Sequence, residues 1–169
     1  MPMYMSTAAR LNMRSTEKKM LKYYDDGGEG RGNCTWGIGT KAHNGPCSKP
    51  ELARVVLDAD IEREFLSRLE EAERGVVRNV KAPLTQAQFD ALVSLAYNAG
   101  VPGSSKVFEL INAGNFEGAA TRIASMVNGH KFVKGKRVPV FYPGLVPRRA
   151  AEAAPFRNAA NAPLRTAAK

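Results

Sequence analysis

With 169 residues, 44% of them hydrophobic, the chain suits one packed domain or two lobes on a shared core. No stretch approaches the roughly 18 apolar residues of a membrane span, and two cysteines are too few for a disulfide scaffold. The net charge of +9 is lopsided: from Asn128 to Lys169 nine lysines and arginines meet one acid, Glu152, so that this part alone carries +8.

At the N-terminus, Arg10 and Arg14 interrupt MPMYMSTAARLNMRSTEKKM, where a signal peptide needs an unbroken apolar run. The expectation is a chain that accumulates in the cytoplasm. A first amphipathic helix is expected over about 6–18, with Ser6 as its N-cap and Ala9 and Met13 on its apolar stripe. It delivers Glu17 to the glycine-rich stretch YYDDGGEGRGNCTWGIGT, which has no face wide enough to build a core. Short-strand character at Cys34 to Thr40 predicts a small hairpin or three-stranded sheet within about 23–47.

Next comes SKPELARVVLDADIEREFLSRLEEAERGVV. Ser48 and Glu51 form a capping box with Pro50 in the first turn, and apolar spacing predicts one long linking helix over about 49–78. A second capping box, Thr85 and Gln88, starts a helix that Gly100 stops. Shorter helices are expected at about 105–112 and 116–127, then a basic loop or hairpin, then a helix through LVPRRAAEAA that ends at Pro155. The whole reads as a single domain over 1–156, with a helical lobe at about 84–156, followed by a basic tail at 157–169.

Cleaving a glycoside bond takes a carboxylic acid that protonates the leaving oxygen and a second group on the opposite face of the sugar. Glu17 at a helix end, with Asp25 and Asp26 in the loop beyond, fits that division, and Thr35 adds a hydroxyl to orient water. Carboxylate spacing alone favours the plainer reading, a surface glutamate beside Lys18 and Lys19 and a turn that starts at Asp25-Asp26.

Longer patterns decide between them. Glu17, Tyr24, Asp26 and Thr35-Trp36-Gly37-Ile38-Gly39 resemble the Glu…Tyr-x-Asp…Thr-x-Gly-x-Gly signature of the phage lysozyme (endolysin) family, glycoside hydrolase family 24, down to the eight residues between the two acids. LTQAQFDALVSLAYNAG and PGLVPRRAAEAAPF are similar to two later blocks of that family, in family order. The resemblance implies an α+β, lysozyme-like fold: a small N-terminal β-lobe and a larger helical lobe joined by a long helix, with the glycan strand in the cleft between them. It implies Glu17 as general acid, Asp26 as the group that activates water or stabilises the oxocarbenium ion, and Thr35 as the holder of that water. The implied substrate is the β-1,4 bond between N-acetylmuramic acid and N-acetylglucosamine of peptidoglycan, cut without a cofactor or metal.

The sequence departs from the family pattern at Lys18, where glycine is usual, and at Thr40, where histidine is usual, with His43 displaced downstream. Three extra residues between Asp26 and Thr35 make Asp25 a rival to Asp26 and place Glu29 in an enlarged loop.

The remaining candidates have plainer readings. His43 and His130 read as loop residues, Trp36 as a cleft-lining or a core residue, and Arg148, Arg149 and Glu152 as braces of the last helix. Gly37-Ile38-Gly39 lacks the third glycine and the strand–turn–helix setting of a dinucleotide site. Without an export signal, Cys34 and Cys47 are expected as reduced thiols, a bridge across the glycine-rich stretch being the alternative. The same absence leads to the expectation that the chain stays in the host cytoplasm until a membrane-permeabilising partner releases it to the periplasm and cell wall. The resemblance implies a holin in that role, and a monomer is expected. The basic C-terminal region suits anionic wall or lipopolysaccharide. Two other functions stay open: a lytic transglycosylase acting on the same bond, and a basic wall- or nucleic-acid-binding protein without catalysis.

Overall fold

The computed structural model describes residues 3–157, with 131–133 placed by their backbone alone. By contact density the chain falls into two compact units, one of them Ala8–Glu70 and the other formed by Glu71 onward together with the residues before Ala8. Among the described residues no helix is long and apolar enough to cross a membrane.

The Ala8–Glu70 unit begins with α1 (Thr7–Thr16), which turns Met13 inward. Arg14 near its end forks onto Glu62 and lies over the Phe65 ring, 5.7 Å from its centroid. β1 (Met20–Asp25), β2 (Cys34–Gly37) and β3 (Thr40–His43) form an antiparallel sheet in that order. Tyr24 pairs with Thr35 and Asp25 with Cys34. Ile61, Phe65 and Leu69 of α3 (Asp58–Asn79) are buried in this unit.

Two expectations are corrected here. The helix predicted over 49–78 is interrupted: α2 (Lys49–Ala53) stops, Arg54 turns extended, and α3 restarts at Asp58. Between them Val55 bridges to Lys22, and the Val56 N–H donates to the Leu21 carbonyl at 2.9 Å. Two adjacent valines suit a pleated edge better than a helix interior, and the open edge of β1 supplies the hydrogen bonds. The cysteines are also not free thiols. Cys34 and Cys47 form a disulfide with Cα atoms 4.5 Å apart, because β2 and the segment leading to α2 run side by side at that point. The Cys34 N–H donates to the Gly45 carbonyl there, at 2.7 Å.

The other unit is mainly helical. α4 (Gln86–Ala99) starts from the Thr85–Gln88 capping box and buries Leu92, Val93, Leu95 and Ala96. α5 (Ser105–Asn112) adds Val107, Phe108 and Ile111, and α6 (Phe116–Ser125) adds Ala119, Ala120 and Ile123. β4 (Asn128–Val133) and β5 (Lys136–Phe141) make the basic hairpin. α7 (Leu145–Ala153) gives way to a 3₁₀ turn around Pro155, where the missing N–H ends the helix. Of the expected basic tail only Arg157 lies within the described residues.

Candidate active site

Glu17 sits in the bend after α1, half-buried, one residue past the last helical position. Ion pairs to α3 bracket this bend: Arg14 to Glu62 on one side and Lys19 to Asp58 on the other. The Arg14 guanidinium holds the Glu62 carboxyl below its ordinary range through its hydrogen bonds. The sequence reading included neither pair. A basic residue three positions before Glu17 and another two after it were the available signal.

β1 carries the chain from Glu17 to the two aspartates, and there their roles separate. Asp25, the last residue of β1, accepts from the Gly30 N–H and the Cys47 N–H, each at 2.7 Å, through different oxygens. Asp26, the first residue of the loop, is exposed. Its oxygens collect the Asn33 N–H at 2.7 Å and the Asn33 side-chain amide at 3.3 Å, while its own N–H donates to the Asn33 carbonyl at 3.0 Å. That same carbonyl accepts from the Thr35 hydroxyl at 3.2 Å. Thr35 itself is only 3% exposed. One asparagine therefore joins the Asp26 carboxylate to the Thr35 hydroxyl. Asn33 was not singled out from sequence, since three extra residues before Thr35 hide its place in the register.

The glycines of the opening stretch now have a reason. At Gly32, with φ +80, a Cβ would fall 2.1 Å from an Asp26 carboxylate oxygen and 2.4 Å from the Gly27 nitrogen. Only glycine lets the returning chain lie this close to the acid. Tyr24, paired with Thr35, has its hydroxyl pKa raised, first by burial and then by the negative charge of Asp26. Glu29 is exposed in the loop.

His43 bonds through Nε2 to Glu51 at 2.8 Å and through Nδ1 to the Asn44 carbonyl at 3.0 Å. Its pKa is raised, most by that carbonyl and next by Glu51. Glu51 is held at about 2, chiefly by the Ser48 hydroxyl and N–H of the capping box and then by His43. Cys34 lies close to this pair, yet its sulfur is committed to the disulfide and offers no thiolate to a metal.

In the helical unit Arg149 is buried, donating to the Met126 carbonyl at 2.9 Å and to Glu152 at 2.5 Å. Glu152 also accepts from the Ser94 hydroxyl at 2.6 Å and from Arg148 at 3.2 Å. A buried charge set this fully paired holds α7 on α4, the bracing role expected of it.

The phage lysozyme family matches residues 14–152, which include Glu17, Asp26 and Thr35. An endolysin of Acyrthosiphon pisum secondary endosymbiont phage 1 is 39% identical over 82 residues, 47% of this chain and 53% of that protein. An endolysin of Bacillus phage B103 is 37% identical over 102 residues, 59% of this chain and 35% of that protein. The matched segments thus span about half and about a third of those relatives. Among solved structures, the endolysin from Escherichia coli O157:H7 phage FAHEc1 superposes with a TM-score of 0.68 at 28% identity, covering 95% of this chain and 97% of the other.

Proposed function

Because the chain belongs to the phage lysozyme family and has its α+β fold, we propose that it is an endolysin, a muramidase that hydrolyses the β-1,4 bond between N-acetylmuramic acid and N-acetylglucosamine of peptidoglycan and so lyses a bacterial host. The observation that carries this is the Asp26–Asn33–Thr35 chain of hydrogen bonds, which holds an exposed carboxylate beside a buried hydroxyl.

Glu17 is the general acid and gives its proton to the glycosidic oxygen as the C–O bond breaks. Asp26 faces the positive charge that develops on the sugar and takes the proton of the incoming water. The Thr35 hydroxyl already donates its hydrogen to Asn33, so its oxygen is left to accept one from that water. Asp25 holds the loop in shape. A transglycosylase needs only the acid, so a built second carboxylate favours hydrolysis.

The enzyme works as a monomer, waits in the host cytoplasm and reaches the wall once a holin opens the membrane. Its basic C-terminal region keeps it near anionic wall polymer or lipopolysaccharide. The test is to digest purified sacculi and weigh the fragments. Hydrolysis leaves reducing muramic acid ends. Anhydro-muramyl ends would reassign the chain to the transglycosylases, and intact sacculi would remove the enzymatic reading.

A further inference from the structure

Residues paired across an antiparallel sheet point to the same face, and their chain neighbours point to the other. Tyr24 and Thr35 are such a pair. Tyr23 and Trp36 therefore stand on the face of the sheet away from Thr35. There the two rings stack, centroids 6.3 Å apart and planes 26° from parallel. The interruption between α2 and α3 completes the surroundings. It brings the Arg54 guanidinium over the Tyr23 ring at 5.5 Å and sets Val55 and Val56 alongside. The first turns of α3 close the other side with Asp60, Arg63, Glu64 and Ser67. The result is a cavity of about 400 Å³, within the size range of small-ligand sites, roughly 300–1,000 Å³.

We infer that this cavity is a second carbohydrate site, separate from the Asp26–Thr35 face, that takes an N-acetylhexosamine of a glycan strand. With Tyr23 stacked against Trp36 and Arg54 over the Tyr23 ring, the aromatic surface offered to the apolar face of a pyranose is that of half-buried Trp36, which Tyr23 backs. The rim carries two arginines and two acids, with Arg63 and Asp60 joined at 2.8 Å, so its formal charges cancel. A balanced rim does not select a phosphate backbone or a lipid headgroup, which call for uncompensated positive charge. It does offer donors, acceptors and the Ser67 hydroxyl to a neutral ligand rich in hydroxyls. The valine methyls suit the acetamide methyl. The inference rests on the proposed glycan substrate only for the source of the ligand. Its role would be to keep the enzyme on a strand while the catalytic face acts elsewhere on the wall.

Trp36 is the only tryptophan in the chain and lines this cavity, so its emission responds to a ligand there. Since its neighbour Thr35 lies on the proposed catalytic face, the cavity-filling variant decides which side is occupied. The experiment titrates N-acetylglucosamine oligomers into the Glu17→Gln protein and follows tryptophan emission, with no turnover to consume the probe. A saturable change is expected. Tyr23→Ala removes the ring that backs Trp36 and Ser67→Phe fills the cavity without touching the stack, and each should weaken binding about tenfold or more. Circular dichroism checks that both are folded. No emission change, or the same midpoint in wild-type and Ser67→Phe cavities, would overturn the inference. Failure of the muramidase reading looks different: emission would still titrate while the otherwise wild-type enzyme left sacculi uncut.

Discussion

Asp25 commits one carboxylate oxygen to the Gly30 N–H and the other to the Cys47 N–H, whereas Asp26 stands exposed with Asn33 beside it. Removing them should therefore fail in different ways. Asp25→Ala strands two backbone donors that met a charged acceptor and should cost about 2 kcal/mol of stability in chemical unfolding, with a smaller loss of rate. Asp26→Asn keeps an oxygen for the Asn33 N–H, so stability should hold while cleavage of sacculi falls about 10²-fold. The reverse pattern would make Asp25 the second carboxylate. Sequence reasoning left the two as rivals because adjacent acids in a turn carry no mark of which backbone N–H groups they meet.

Among the elements, α2 depends on its cap more than on any buried face, having no buried residue. Its Glu51 is held at about 2 against an ordinary 4.5, so its contribution is present above about 4.5 and is lost as pH falls toward 2. The raised pKa of His43 works the other way: its contribution is complete below the ordinary 6.5 and is lost as pH rises through the folded-state value. Glu51→Gln keeps a capping side chain without the charge. The difference in melting temperature between wild type and this variant should be widest between about pH 4.5 and 6.5, narrowing on both sides. A difference constant with pH would remove the charge from the account.

The disulfide belongs to the same scale, closing a segment of sequence separation 13 next to Thr35 and to the N–H that Asp25 accepts. A crosslink of about that span is worth about 3 kcal/mol. Replacing Cys34 and Cys47 with serine should lower the midpoint of unfolding accordingly and slow cleavage by loosening the Asp25 loop. An unchanged rate would show that the loop holds its shape unaided.

These elements also show how far the sequence could be read. Helices announced by a capping box, such as α4 at Thr85 and α2 at Ser48, are where their side chains place them. The interruption at Arg54–Leu57 was hidden, because Val55 and Val56 fit helical spacing and only the open edge of β1 makes the extended form better. The crosslink stands only as the alternative in the sequence, because a missing export signal argues for reduced thiols while backbone pairing decides which cysteines meet. Of the candidate site, the pattern of the sequence points to Glu17, Asp26 and Thr35, whereas Asn33 and the Arg14–Glu62 brace leave no such mark, being set by register and packing.

At the level of the whole molecule, +8 of the net +9 falls between Asn128 and Lys169, partly on the β4–β5 hairpin at Lys134, Lys136 and Arg137. If that charge concentrates the enzyme on an anionic wall, clearing of permeabilised cells should slow as ionic strength rises from about 0.01 M to 0.15 M, where the screening length shrinks from about 30 Å to 8 Å. Cleavage of short soluble glycans should not change with it. Equal salt sensitivity on both substrates would separate the basic region from wall binding.

The central claim is that this chain cuts glycan with Glu17 as its acid. The most direct measurement is the rate at which wild type and Glu17→Gln clear outer-membrane-permeabilised Gram-negative cells, with circular dichroism confirming that both are folded. The account predicts clearing by wild type and a rate lower by about 10³-fold for the variant, since a glutamine cannot donate the proton. A folded Glu17→Gln protein that clears cells within about tenfold of wild type would contradict it.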